Sequence, residues 1–301
     1  LVHHVAEIDF WTAFSMIMAK VFPLLIMPCM AAWLVRYLFP KVHRWLIKFP
    51  DLAFYRCKKL TSITIPDGVT EIGKRAFEGC TSLKSITIPE LVTEIGIYAF
   101  RDCTSLKSIV IPEGVTEIAD STFYNCSSLE SITIPECVTE IGEAAFRYCT
   151  SLKSIIIPDS VTLIECEAFE GCTSLENITI PESVTEIGES AFSDCTSLTS
   201  LDLPARLEKI GGYAFDGCSG FTGALSLPST LKSIGGYAFS DCGGFTGNLV
   251  LPEKLEYLGA GAFSGCSGFT GDLRIPETIT ILYGHTFESC YGMKGQLILH
   301  D

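Results

Sequence analysis

From about Leu60 to the end of the chain, apolar and polar positions follow one repeating order. In the stretch CTSLKSITIPELVTEIGIYAF (Cys80–Phe100) the apolar positions are Leu83, Ile86, Ile88, Val92, Ile95 and Phe100. Ile86 and Ile88 fall on one side of an extended segment and Thr87 on the other, as the two-residue period of a strand requires. Pro89 ends that strand, because it has no N–H to give to a ladder. Val92 and Ile95 return to the same interior on a second short extended or 3₁₀ segment. The residues from Tyr98 to the next cysteine then form a tight or briefly helical turn.

This order recurs down the chain. Cys57, Cys80, Cys103, Cys126, Cys149, Cys172, Cys195 and Cys218 are spaced by 23, and Cys242, Cys266 and Cys290 follow at spacings of 24. A phenylalanine stands three residues before each, from Phe54 to Phe287, and prolines from Pro66 to Pro276 keep the same beat. A fixed period of 20–29 residues marks a leucine-rich solenoid. The expected fold is therefore a β-rich repeat solenoid of about eleven coils with short 3₁₀ or helical turns, over residues 51–301. Fixing the backbone of one coil costs about 1–2 kcal/mol per residue. Six buried apolar side chains return only about 1.5–3 kcal/mol each. A coil is thus stable only when its neighbours cover it and its strands pair with theirs.

After Cys218 the unit reads CSGFTGALSLP. One residue is inserted, and Phe221, Phe245 and Phe269 take the place of the leucine, flanked by Gly220, Gly223, Gly244, Gly247, Gly268 and Gly271. The glycines are expected to allow a tighter bend that makes room for the larger ring. This is a variant coil of the same solenoid.

The full pattern, C-x-x-L-x-x-I-x-I-P-x-x-V-x-x-I-x-x-x-A-F, resembles the BspA-like, or Treponema pallidum-type, leucine-rich repeats. The resemblance covers about residues 51–301. It implies a leucine-rich-repeat solenoid on a secreted or cell-surface protein, of a kind that occurs in bacteria and some protists and of which several act in adhesion to host proteins or other cells. It implies no common ligand and no common set of binding residues.

The cysteines stand in one column at the entrance to each strand: Cys57, Cys80, Cys103, Cys126, Cys149, Cys172, Cys195, Cys218, Cys242, Cys266 and Cys290. Side chains stacked in register point parallel to one another, which disfavours disulfides between rungs, and a buried thiol packs as a small hydrophobe. The column is expected to be a structural ladder whose thiols face backbone carbonyls at the turn. Cys29, Cys137 and Cys166 lie off it. Acidic residues also form columns, Asp67 to Glu182 after the prolines and Glu71 to Glu186 in the second segment; they read as a solvated flank, since a straight file offers a cation too few oxygens. The outward strand positions are expected to line a concave face. Thr64, Thr87, Thr133, Thr179, Asp202 and Arg274 are the candidate contact residues there, with Val110, Ile156, Ser226, Val250 and Ile298 in the same column. Tyr213, Tyr237, Tyr257 and Tyr283 are further anchor candidates, or turn packing. Asn125 and Asn177 open N-x-S/T sequons, and His285 reads as a surface histidine.

The first fifty residues are a different material. Between Phe10 and Val35 the only charge is Lys20, and Lys41, Arg44 and Lys48 follow. Residues 1–50 are expected to be an apolar helical segment that spans a membrane through residues 10–39; the alternative is an apolar cap on the first coil. The stretch KVFPLLIMPCMAAWLVRYLFPKVHRWLIKFPDLAFY resembles part of a bile acid:sodium symporter-type membrane protein, which implies no transport residues here.

Composition narrows the function. Hydrophobic residues make up 48% and charged residues 19%, and the net charge is −14. That charge disfavours nucleic acid as a partner, since phosphate contacts need clustered Lys and Arg. No metalloprotease, nucleophile-elbow or phosphate-loop motif is present. The expected function is non-enzymatic, without catalytic, cofactor or metal residues: a protein–protein interaction or adhesion module at the membrane or cell surface, or secreted, that binds a protein partner through an extended multivalent face. A transporter fragment fused to a repeat array and a purely structural spacer are the alternatives.

Overall fold

The computed structural model describes residues 48–299; the expected apolar segment falls almost wholly outside them. Among the described residues the chain is a solenoid of about eleven coils, without α-helix or 3₁₀-helix. Each coil has three sides. The first is the strand that ends in proline, as in Ser62–Thr64, Ser85–Thr87, Ser108–Val110, Ser131–Thr133, Ser154–Ile156 and Asn177–Thr179. The second is a two-residue strand, from Lys48–Phe49 and Glu71–Ile72 through to Tyr257–Leu258. The third is the turn that carries alanine, phenylalanine and cysteine.

All strand pairing is parallel and in register between equivalent residues of successive coils, as in Ile86 with Ile63 and Ile95 with Ile72. The second side is the more continuous. Strands Glu117–Ile118 to Tyr257–Leu258 make one seven-stranded sheet, whereas first-side strands pair only two at a time. Of the two conformations open to Val92–Ile95 in the sequence, the chain adopts the extended one at Glu94–Ile95.

The interior is one continuous file of phenylalanines. Phe54, Phe77, Phe100, Phe123, Phe146, Phe169, Phe192, Phe215, Phe239, Phe263 and Phe287 stack ring on ring, with centroids 5.3–5.9 Å apart and planes within 9° of parallel. These are offset-stacked distances. Phe49 extends the file at its first end, 5.4 Å from Phe77. Leucine, isoleucine and valine of the other two sides close round the rings, so each coil's core is completed by the coils beside it.

The turn side is built on left-handed backbone. Two residues in every coil have positive φ, one five positions before the cysteine and one immediately before it: Arg75 and Gly79, Tyr98 and Asp102, Ala144 and Tyr148. Most of these are not glycine, and each non-glycine costs about 1–2 kcal/mol. The offset comes from inter-coil hydrogen bonds that this backbone makes possible. The amides of Arg75, Phe77 and Gly79 donate to the carbonyls of Ile97, Ala99 and Arg101 in the next coil, and the same three bonds recur along the molecule. The turn is therefore a third ladder, although it contains no strand.

In the variant coils glycine answers two separate demands. A Cβ on Gly244 would lie 1.9 Å from the carbonyl oxygen of Phe221 in the preceding coil, and Gly247 has φ +80°. Close approach of the coils excludes a side chain at Gly244, and the left-handed bend calls for glycine at Gly247. Gly244→Ala is expected to destabilise the protein by about 1–3 kcal/mol, measured by chemical denaturation. Ser82→Ala, at the equivalent place in a 23-residue coil, is expected to change it by less than about 0.5 kcal/mol.

Candidate functional site

The cysteine column lies inside the turn ladder. Ten thiols, from Cys80 to Cys290, each donate to the carbonyl oxygen of the phenylalanine in the preceding coil, from Cys80 Sγ to Phe54 O at 3.1 Å through to Cys290 Sγ to Phe263 O at 3.1 Å. That same carbonyl already accepts the amide of its own coil's cysteine, as in Cys57 N to Phe54 O. The thiol thus fills the second lone pair of an otherwise buried acceptor. Cys57 is buried at the head of the column. Burial pushes the thiols up: Cys80 and Cys172 to about 12 and Cys290 to about 11. These cysteines are packing groups with suppressed reactivity.

Cys137 takes a hydroxyl's place. Its thiol donates to Glu113 O at 2.8 Å and Val115 O at 3.2 Å, and Ser160 makes the same pair of bonds one coil later, to Glu136 O and Val138 O. Cys166 is half-buried in the turn that follows Leu163–Ile164. Asn125 is occupied as a turn residue, donating to Asp102 Oδ1 at 2.8 Å, whereas Asn177 is exposed on its strand. His285 is exposed and meets Glu288 Oε2 at 2.8 Å.

The acidic column of the second side is neutralised at its ends and not in its middle. Lys48 pairs with Glu71 and Lys209 with Glu186. Glu94, Glu117 and Glu140 stack on successive coils with no lysine across from them. Burial and the charges of Glu140, Asp120 and Glu94 raise the Glu117 carboxyl.

Thr64, Thr87, Thr133, Thr179, Asp202 and Arg274 are all exposed on the outward side of the first-side arc. Thr64, Thr87, Thr133 and Thr179 lie in paired strands, Asp202 in an unpaired stretch and Arg274 in a strand that pairs with Leu297–Ile298. The same column holds Val110, Ile156 and Val250, which are 64%, 76% and 70% exposed. Inward neighbours such as Ile109, Ile111, Ile155 and Ile157 are 2–5% exposed. From Thr64 to Thr179 the face is therefore a regular file of β-branched side chains held on short paired strands, and beyond Thr179 the column continues on unpaired backbone through Asp202, Ser226 and Val250. The tyrosines separate into two pairs: Tyr213 stacks on Tyr237 at 5.2 Å in the turn side, and Tyr257 meets Tyr283 at 5.7 Å.

The turn side carries a feature that the column-by-column reading missed. Arg75 lies over Tyr98 at 4.9 Å, Arg101 over Tyr98 at 5.5 Å and Tyr124 at 4.8 Å, and Arg147 over Tyr124 at 6.0 Å and Tyr148 at 4.9 Å. Arg56 lies over Tyr55. These are cation–π distances, and Glu170 closes the row on Arg147 at 2.8 Å. Four of the six arginines among the described residues stand here. The signal is present in the sequence, but it is spread over three columns, five, two and one residues before the cysteine, so no single column shows it.

Residues 47–176, 139–244 and 162–294 match the BspA type Leucine rich repeat region (6 copies). The chain belongs to this family. The repeats are similar to a leucine-rich repeat protein of T. pallidum, at 36% identity over 50% of this chain and 71% of that one, with a TM-score of 0.48. A leucine-rich repeat protein from Bacteroides ovatus is 26% identical over 83% and 87% of the two chains, with a TM-score of 0.43. The pneumococcal vaccine antigen PcpA is 22% identical over 79% and 66%, with a TM-score of 0.54, and shares the fold. No curated protein matches the chain. Members of this family are usually cell-surface or secreted proteins, and leucine-rich repeat proteins in general bind protein partners. Among the described residues no helix is long and apolar enough to cross a membrane.

Proposed function

We propose that this BspA-type repeat chain is a non-enzymatic adhesion module that binds a host or cell-surface protein by many small contacts along the outward face of its first side. The observation that carries this reading is the exposure of Val110, Ile156 and Val250 in one column with threonines, against an inward row that is buried or partly buried. Large apolar groups presented in a line favour a protein surface as their cover. β-branched side chains on strands also lose little rotamer freedom when that cover arrives.

The test is photo-cross-linking of the full chain at the surface of candidate partner cells, with the cross-linker placed at Ile156, Val110 or, as a control, Glu288. Transfer to one defined protein from Ile156 and Val110, lost in Val250→Lys or Thr133→Lys chains, is expected. Each substitution should weaken binding about tenfold while leaving stability within about 0.5 kcal/mol, since these positions are exposed. Transfer only from Glu288, or none from any position, would overturn this reading, and none from any position would favour the spacer.

A further inference from the structure

The 23-residue and 24-residue coils meet at one seam on this face. Nine steps separate Cys195 from Pro204, and ten separate Cys218 from Pro228. The extra residue enters after Thr222, whose amide still donates to Thr199 O, and before Pro228. Asn177–Thr179 pairs with Ser154–Ile156, but Leu201–Leu203 and Leu225–Leu227 form no strand. Beyond them the first side is held by the isolated bridges Gly223 to Phe245 and Gly247 to Phe269 until Leu273–Arg274.

Between the two arcs the structure holds a cavity of about 280 Å³. Leu203, Ala205 and Pro228 give it apolar walls, and Asp202, Ser226 and Ser229 give it oxygens. Asp202 stands where the earlier coils place Thr, Val or Ile, so a carboxylate enters the column at the coil where the cavity opens. It has no ion-pair partner among the described residues. Of the neighbouring charges, Glu182 Oε2 accepts the Ala205 amide at 2.9 Å and Lys209 pairs with Glu186, while Arg206 is exposed beside Ala205 and makes no ion pair with Asp202.

We propose that the seam is a subsite for one lysine side chain of an extended protein segment. Its volume falls just below the range of about 300–1,000 Å³ typical of small-molecule pockets, which suits a single side chain. The apolar walls accept the methylene stem. The Asp202 carboxylate and the Ser226 and Ser229 hydroxyls match the three donors of an ammonium group. The chain's charge of −14 draws a cationic segment towards it.

This inference rests on the interaction reading above, and its test is separable from it. Fluorescence anisotropy of labelled acetyl-Ser-Val-Lys-Val-Ser-amide is followed as the full chain is added. Saturable binding is expected, at least tenfold weaker for the peptide with norleucine in place of lysine and for the Asp202→Asn chain, and unchanged for Asp67→Asn. Far-UV circular dichroism confirms that each variant is folded. Absence of saturation, equal binding of the norleucine peptide, or equal weakening by Asp67→Asn would overturn the subsite. If the peptide ignores Asp202 while Val250→Lys still abolishes cross-linking to a partner protein, the seam falls and the face reading stands.

Discussion

Raising the pH from 8 to 10 is expected to unfold the solenoid in one steep step. Burial raises ten thiols of the column above the ordinary 9.0, Cys80 and Cys172 to about 12 and Cys290 to about 11, and the seven others also upward. In the unfolded chain the same thiols ionise near their ordinary value. The folded pKa lies above the unfolded one, so the folded state holds protons that the unfolded state releases. The stabilisation is complete below about pH 8.5–9 and is lost as the pH rises from there towards 12. Each thiol removes about 1.4 kcal/mol per pH unit in that window. Ten acting together remove on the order of 10 kcal/mol per unit, comparable to the 5–15 kcal/mol that holds a typical domain. Denaturation midpoints between pH 7 and 10 measure it. Replacing Cys126, Cys149 and Cys172 by alanine is expected to flatten the alkaline slope while lowering stability at neutral pH. An unchanged slope would assign the alkaline loss to other groups.

Phe146→Ala is expected to cost about 3–5 kcal/mol, as truncation of a fully buried aromatic does. Phe146 lies between Phe123 at 5.5 Å and Phe169 at 5.4 Å, so its removal leaves two neighbouring rings each with one bare face. Collapse cannot fill the gap, because three inter-coil ladders fix the spacing between coils. Phe287 is only partly buried and touches one ring, Phe263, at 5.9 Å. Phe287→Ala should therefore cost clearly less. Urea midpoints of the two variants decide the point, and equal losses would mean that the file is not a cooperative core.

The period, the proline-ended strand and the phenylalanine file were legible in the sequence because each is written by residue type at a fixed spacing. The left-handed turn was not. Leu52, Arg75, Ala144 and Glu167 adopt positive φ, and none is a residue that announces it. Their conformation is imposed by hydrogen bonds to the next coil, which act between residues about 23 apart. The dominance of the second-side sheet was hidden for a similar reason, since two residues such as Glu94–Ile95 are too short to read as a strand alone. Of the surfaces, the column from Thr64 to Ile298 followed from alternation, and the inserted residue after Cys218 was visible. The cavity that the insertion opens beside Asp202 depends on how two unequal arcs stack, which no single coil encodes.

Hydrogen–deuterium exchange of the full chain with and without Phe146→Ala tests whether a coil stands only by its neighbours. Stacking predicts faster exchange at the turn amides of Phe123 and Phe169 as well as Phe146, spreading across the adjoining coils. Faster exchange confined to Phe146's own coil, with Phe123 and Phe169 as protected as before, would contradict it.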